Sequence, residues 1–477
     1  MALSIKLIFA IIIPISICHP SYQLNTYFFF DPVSNATCDE TNYWTPFDQS
    51  TTCYRFVSVT MNDSEKKDKI KIMLDHNIGI SDFSKYKAVL KEKTSKWSRY
   101  KGTIDLIDEP LIYKLMKYTK EPDYKLPSKP PHRLGIFSAN SDYIIKGKSI
   151  NEKGYWTKTV YKIKFAYAID INGVNVISPH QEKYGLRPVL NIEKSLLKTN
   201  SKNIDISRLI KSGTIIAKNY EQKKYDGLIY KQLQGFTVTK DQLIFISSNN
   251  ENRPKSVMYS YKLNDINTLY KKKYDSIGHG NGMTYNSKDD KVLVAGPDNY
   301  KKIFLYNGNT LAKEKEYPYP QHPIFHSIGY DYNNNLYIGQ NGRRLFLTDT
   351  VKIEKIYEWG VTWFETSQDL EYYNGYAFFC STDAGANSRF QDYSFLKKGT
   401  NVIHVYDVKL DKDNNPTKNF GRLICNLQIT GLGELESISF RKGYVYVGFA
   451  VHKKDTPVYV FYKLDYKQFA KEVKKIS

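Results

Sequence analysis

Residues Gly278–Leu311 read GHGNGMTYNSKDDKVLVAGPDNYKKIFLYNGNTL, and this stretch holds one complete structural unit. A small polar turn, His279 to Gly282, leads into Met283-Thr284-Tyr285, and a turn-forming run, Asn286 to Asp290, follows. Val292-Leu293-Val294-Ala295 comes next, then a second turn and Ile303-Phe304-Leu305-Tyr306. Short apolar runs broken by Asn, Asp and Gly predict antiparallel strands joined by tight turns. The unit recurs. QGFTVTKDQLIFIS (234–247) is followed by MYSYKLND, and HSIGYDYNNNLYIG (326–339) by RRLFLTDT. QDLEYYNGYAFFC (368–380) is followed, after an insertion, by VIHVYDVKL, and ESISFRKGYVYVGF (436–449) by VYVFYKLDY. Copies spaced by about 40 to 50 residues suit radially repeated four-stranded blades. One blade cannot bury both faces, whereas a ring of them can. The chain is therefore expected to be mainly β, with a five-bladed β-propeller over residues 226–465. A smaller α+β domain (24–195) and a polar connector (196–225) precede it, and a Lys-rich tail (466–477) follows. The apolar run Leu209–Ala217 in the connector is a candidate strand for closing the ring.

The N-terminus gives an address. Lys6 precedes an apolar run, Leu7 to Cys18, too short to span a bilayer, which predicts a signal peptide over residues 1–20 and a secreted, extracellular or cell-surface protein. Cys18 is also placed to be a lipid-anchor cysteine, although Ile17 is bulky for that signal. No later segment has the length and hydropathy to cross a membrane. Setting Cys18 aside leaves Cys38, Cys53, Cys380 and Cys425, an even number in an oxidising compartment, and the expected pairs are Cys38–Cys53 and Cys380–Cys425. Asn35-Ala36-Thr37 and Asn62-Asp63-Ser64 are glycosylation sequons in a eukaryotic host. The 69 Lys and Arg against 49 Asp and Glu give a net charge of +20, which attracts acidic partners. The lysines are scattered and lack an aromatic-basic nucleic-acid motif, so the expected partner is an extracellular glycan, an acidic envelope polymer or a protein rather than nucleic acid.

Upstream of the repeats, Cys53–Val59 and Ile70–Leu74 read as paired strands, the second ending in a turn at Asp75-His76-Asn77. Asp108-Glu109-Pro110 has the acids and the proline of a helix start, running on to Met116. A proline-rich loop (Lys125–Arg133) follows. Asn172-Gly173, between Phe165–Ile171 and Val174–Val176, is a hairpin signal. The segments TTCYRF, IMLDHN, GYWTKT (154–159) and YGLRPVLNI (184–192) resemble an uncharacterised domain of secreted bacterial proteins. Its closing strand is similar to that of formylglycine-generating-enzyme and C-type-lectin-like folds. The resemblance implies a mixed α+β surface module and brings no activity with it. QGFTVTKDQLIFIS and LESISFRKGYVYVGFAVH resemble segments of helveticin-J-like bacteriocins, which implies a secreted protein acting on other cells or their envelopes.

Aligning the copies places Gln234, Asn281, His326, Gln368 or Asp369, and Glu436 at equivalent positions, each where an inner strand begins. Such side chains would converge at one mouth of a propeller channel. Asn281, Asp369 and Glu436 are the candidate ligands of a hard cation such as Ca2+, which takes oxygen donors. Gln234, Asn281, His279 and Gln368 are the candidate ligand-binding residues. The ring positions are similar to those of gluconolactonase-type propellers, which implies a metal-dependent hydrolase or lactonase; the five copies depart from that family's six blades. For such an enzyme His326, Asp369 and Glu436 are the catalytic candidates, with a histidine as general base beside Asp369. The chain has no nucleophile elbow, HExxH, phosphate-binding glycine loop or zinc spacing. The long insertion Thr382–Thr400 borders the ring and is a candidate wall of a ligand site, and Trp359, Trp363 and Phe364 are candidates for sugar stacking or for burial between blades. The leading expectation is a binding protein without catalysis, its ligand held at the propeller mouth. The alternatives are the hydrolase and a bacteriocin-like protein.

Overall fold

The structure is a computed structural model. It describes residues 27–473 except 40–41, 46–47, 60–67, 109–110, 112–154, 162–164, 171–172, 178–183, 200–202, 220–223, 226–227, 230–231, 250–254, 276, 279, 281, 297–301, 319–326, 332–335, 342–343, 349–352, 359–366, 382–399 and 454–455. The fold is β-rich: the helices among the described residues are short, at Tyr86–Lys93, Ser207–Ser212 and Tyr466–Val473. None of them is long and apolar enough to cross a membrane.

Two sheets come first. One orders Lys198–Thr199, Tyr27–Phe30, Tyr54–Ser58, Lys69–Leu74 and Val189–Glu193, so residues far apart in sequence close it. Phe28, Phe56, Ile72 and Leu190 point from one face of it into a shared core with Trp97. The second orders Ile80–Ser81, Tyr184–Gly185, Tyr155–Tyr161, Phe165–Asp170 and Gly173–Ile177. Its last hairpin pairs Asp170 with Gly173, so Gly173 belongs to the ladder instead of to the turn expected at Asn172-Gly173. The helix expected after Asp108 is described only at its start, where the Asp108 carboxylate accepts the Leu111 N–H at 2.9 Å as an N-cap does.

Five antiparallel sheets follow. Each opens on an inner strand: Gln232–Val238, Gly282–Asn286, Ser327–Asp331, Ser367–Tyr373 and Glu434–Arg441. These five lie against one another in cyclic order, the fifth returning to the first. Ser437 Oγ donates to Phe236 O (3.3 Å) and Val238 N to Ser439 Oγ (3.4 Å) across that last contact. Close approach needs small residues: a Cβ on Gly282 would collide with the Ser327 backbone, and one on Gly329 with Tyr372 N. Outward from each inner strand the sheets run in chain order, with two additions. Asn203–Asp205 joins the fourth sheet in parallel, and Thr214–Asn219 forms the outer strand of the fifth, pairing with Thr456–Asp465. The strand expected from Leu209–Ala217 thus begins at Thr214, after the short helix Ser207–Ser212 has used Leu209 and Ile210.

The cores lie between neighbouring sheets. Phe245 and Leu243 face Phe461 and Tyr446 of the fifth sheet, while Ile244 and Ile246 face Val292 and Phe304 of the second. Both faces of Gln242–Ser248 are therefore buried, and its centre, Leu243–Ile246, is continuously apolar instead of alternating. The C-terminal helix buries Phe469 and Val473 against the core between the fourth and fifth sheets.

Cys38 and Cys53 are disulfide-bonded, as expected. The expected Cys380–Cys425 bond is absent: both residues are buried thiols. Cys380 pairs across its ladder with Ile403 and Cys425 with Val405, so a whole strand, Thr400–Asp407, lies between them. Two strand spacings are about 9.5 Å, beyond the roughly 7 Å that a disulfide bridges between Cα atoms. The expected signal peptide, the proline-rich loop, Trp359, Trp363, Phe364 and nearly all of the Thr382–Thr400 insertion lie outside the described residues.

Candidate functional site

Three of the five aligned positions share a backbone feature. The ladder of the first inner strand slips between Leu233 and Phe236, around Gln234. That of the fourth slips between Ser367 and Leu370, around Gln368 and Asp369, and that of the fifth between Leu435 and Ser437, at Glu436. An inserted residue re-aims its side chain and is favoured near functional sites. Asn281 and His326, the other two positions, directly precede the second and third inner strands and lie, with His279, outside the described residues.

The bulged residues of the fourth strand meet residues on either side of Glu436 in the fifth. Gln368 Nε2 donates to Glu434 Oε1 at 3.1 Å, and Ser437 Oγ donates to Asp369 Oδ2. Asp369 also accepts the backbone N–H groups of Leu370 and Met283, the latter from the second inner strand. Two residues on, and so on the same strand face, Glu371 accepts from Thr284 Oγ1 (3.3 Å) and Tyr372 N (3.0 Å). Glu436 is 3% exposed and its Oε2 has no hydrogen-bond partner. Gln234 turns its amide back onto Leu233 O at 2.8 Å.

No cation compensates these acids among the described residues. Burial pushes the Asp369 carboxyl well above the usual range, and its hydrogen bonds only partly offset this. Burial and then the neighbouring Asp369 raise Glu371, and burial followed by the charges of Glu434 and Asp369 raises Glu436. Burial of this kind, without a compensating cation, disfavours the charged form of each carboxyl. Among the described residues no three His, Cys, Asp or Glu side chains assemble as a metal-holding group.

The described space at the ring lies at the other end, where the inner strands finish. A cavity of about 280 Å3 is lined there by Thr237, Tyr285, Tyr330, Glu371, Tyr372, Ser439 and Arg441, among others. The Arg441 guanidinium sits 5.2 Å from the centre of the Tyr285 ring. Tyr285 donates to Asp290 at 2.9 Å, and its phenol is pushed up to about 12 by burial and by that carboxylate. Sequence reading passed over this end because Tyr285, Arg441 and Lys442 flank hairpin turns and look like ordinary turn-edge residues. The available signal was that four of the five copies place a tyrosine or a basic residue just before that turn: Tyr285, Tyr330, Tyr373 and Arg441.

A second polar cluster lies in the first sheet. Arg55 Nε donates to Asp75 Oδ2, His76 Nδ1 lies 2.7 Å from Asp75 Oδ1, and Trp44 stacks on His76 at 4.4 Å. Asp75-His76-Asn77 is thus more than the expected turn, since Asp75 and His76 are both buried. Burial alone would raise the Asp75 carboxyl, but Arg55 and His76 outweigh it and hold it far below the usual range. Close by, Arg422 of the fourth ring sheet pairs with Asp48 and donates to Tyr43 O at 3.2 Å, joining the two parts of the chain.

No family model matches the chain, and no curated protein does. Two solved structures are similar in part. The tail fibre of Staphylococcus aureus phage P68 is 11% identical with a TM-score of 0.36, over 57% of this chain and 58% of that one. U3-55K is 8% identical with a TM-score of 0.28, over 49% of this chain and 62% of that one. This chain therefore spans less than two thirds of either structure, and similarity at this level carries no functional argument.

Proposed function

We propose that the five sheets are the blades of a five-bladed β-propeller following a smaller α+β, C-type-lectin-like domain, and that the protein is a secreted or surface-attached binding protein. Its ligand, a glycan, an envelope polymer or a protein, sits at the mouth where the inner strands finish. The observation that carries the reading is the cavity at that mouth, where tyrosines supply flat apolar faces and Thr237, Glu371 and Arg441 supply convergent polar groups. The cyclic contact of the inner strands supports the propeller, and the net charge of +20 supports an acidic ligand.

The test is retention of the purified protein on arrays of envelope polysaccharides and cell-wall fragments, alongside Lys442→Trp. Lys442 is a rim residue, so the variant adds bulk at the mouth without entering a core. Retention by the parent and its loss in Lys442→Trp, with unchanged thermal unfolding, is the expected result. Equal retention of both would remove the ligand from this mouth. The hydrolase reading draws support from Glu371, a cavity-wall carboxyl raised by burial as a general acid requires. Polymer cleavage lost in Glu371→Gln would replace the binding reading with that one.

A further inference from the structure

The mouth cavity holds polar atoms that the protein leaves uncommitted. Thr237 is fully buried, yet its Oγ1 has no hydrogen-bond partner, and neither has the buried Nε of Arg441. Both residues line the cavity. Buried polar atoms are rarely left this way, and each one calls for an explanation. Glu371 spends Oε1 on Thr284 and Tyr372, which leaves Oε2 for the cavity. Arg441 has no carboxylate partner among the described residues, and neither has Lys442 beside it. Lys442 adopts the left-handed backbone (φ 46°) that normally favours Gly, Asn or Asp, so a cation is kept at the rim against local preference. Tyr285 and Tyr330, from neighbouring inner strands, supply aromatic wall.

Resting on the binding-protein reading above, we propose that this cavity takes one sugar ring bearing a carboxylate, a uronic-acid unit of an anionic polysaccharide. Arg441 and Lys442 hold the carboxylate, Glu371 Oε2 holds a ring hydroxyl, and tyrosine faces cover the C–H face. Arg441 supplies paired N–H donors in the fork geometry that matches a carboxylate. Glu371 complements a ring hydroxyl through Oε2, the carboxyl oxygen that Thr284 and Tyr372 leave unused. The size agrees: about 280 Å3 falls just under the usual ligand-pocket range of roughly 300–1,000 Å3, which suits one ring rather than an oligosaccharide.

Calorimetric titration of the full chain with glucuronate, glucose and acetate tests this, with an oligogalacturonate as the polymer probe. Glucuronate is expected to bind at least about tenfold more tightly than glucose or acetate. Arg441→Gln should bring glucuronate down to the level of glucose while leaving glucose unchanged, and Glu371→Met should weaken both sugars by about the same factor. Thermal unfolding of each variant verifies the fold. Equal affinity for glucose and glucuronate would overturn the anionic assignment and leave the binding reading standing. Equal affinity for acetate and glucuronate would reduce the site to a bare anion pocket and overturn the sugar assignment. Binding of neutral envelope polymers only, blocked by Lys442→Trp, would likewise overturn the assignment alone. Silence of every probe, with no retention on envelope fragments, would overturn both.

Discussion

Asp75 of the first sheet and Asp369 of the ring are both buried beside β-ladders, and their surroundings drive the two carboxyls in opposite directions. Asp75 meets a guanidinium on one oxygen and an imidazole on the other. Asp369 meets a hydroxyl and two backbone amides, and its charged neighbours include Glu371 and Glu436, themselves buried acids. Burial is the largest influence on both and raises both; the presence or absence of a cation decides the outcome. The first site is an ion pair whose charges are fixed, suited to locking a loop in place. The second is a set of acids whose charged forms burial disfavours, with no cation beside them among the described residues to offset it. The two sites also make opposite demands on pH. In the native state Asp75 stays ionised where the unfolded chain takes up a proton, so its contribution is full above about pH 4 and is lost as pH falls through the native value. The ring acids hold protons that the unfolded chain has released, so their contribution is full below about pH 4 and is lost as pH rises.

The largest expected effect comes from giving the first site the character of the second. Arg55→Met removes the guanidinium and leaves Asp75 buried opposite an apolar chain. Breaking one half of a buried pair costs about 3–5 kcal/mol, so urea unfolding at pH 7 should show a loss of that order. The loss should shrink toward pH 4, because the stranded carboxyl can then be neutralised. A loss below about 1 kcal/mol, independent of pH, would mean that the pair behaves as a solvated surface bridge.

A slightly smaller effect is expected from loosening the cover over that site. The Cys38–Cys53 bond spans a sequence separation of 15 and closes the loop that carries Tyr43 and Trp44, the rings resting on Arg55 and His76. Closing such a loop is worth about 3 kcal/mol by chain entropy. The double variant Cys38→Ala, Cys53→Ala should lose about that much and should expose Trp44, seen as a red shift of its fluorescence at low denaturant. The ring should not respond to reducing agent, since Cys380 and Cys425 are already thiols. Alkylation of unfolded, unreduced protein should therefore label Cys380 and Cys425 and spare Cys38 and Cys53.

What was legible in the sequence follows from how local each signal is. Repeated strand pairs were readable because turn residues and apolar runs are neighbours in the chain, and Gln234, Gln368 and Glu436 could be aligned because each opens a recurring copy; the register breaks around them belong to the ladders and were not readable. The Cys38–Cys53 bond was readable from proximity. The fate of Cys380 and Cys425 was not, because it depends on which strand lies between them, and that is a property of sheet order. The Arg55–Asp75 pair joins residues 20 apart whose meeting depends on one antiparallel register. The cavity was hidden for the same reason: Thr237, Glu371 and Arg441 lie on three different inner strands, and only their cyclic packing brings them to one mouth.

The smallest and most discriminating effect is expected in the ring. Glu436→Gln keeps the side chain's size and replaces a carboxyl whose charged form burial disfavours with an amide that never ionises. Its sign is opposite to that of any Asp75 variant. At pH 4 the parent carboxyl is largely protonated in both the native and unfolded chains, so parent and variant should unfold at nearly the same denaturant concentration. Toward pH 8 the parent loses stability as the unfolded chain releases its proton and the native residue resists doing so, while the variant has no such loss. The variant should therefore be the more stable protein at pH 8, with a flatter profile between the two limits. Asp369→Asn should follow the same course less cleanly, because its carboxyl also accepts the Leu370 and Met283 N–H groups, and one of those bonds is lost if the amide nitrogen faces them. A Glu436→Gln profile that runs parallel to the parent at lower stability would show that the native carboxyl is ionised. The ring would then have to hold that charge with a cation, as the first sheet does at Asp75.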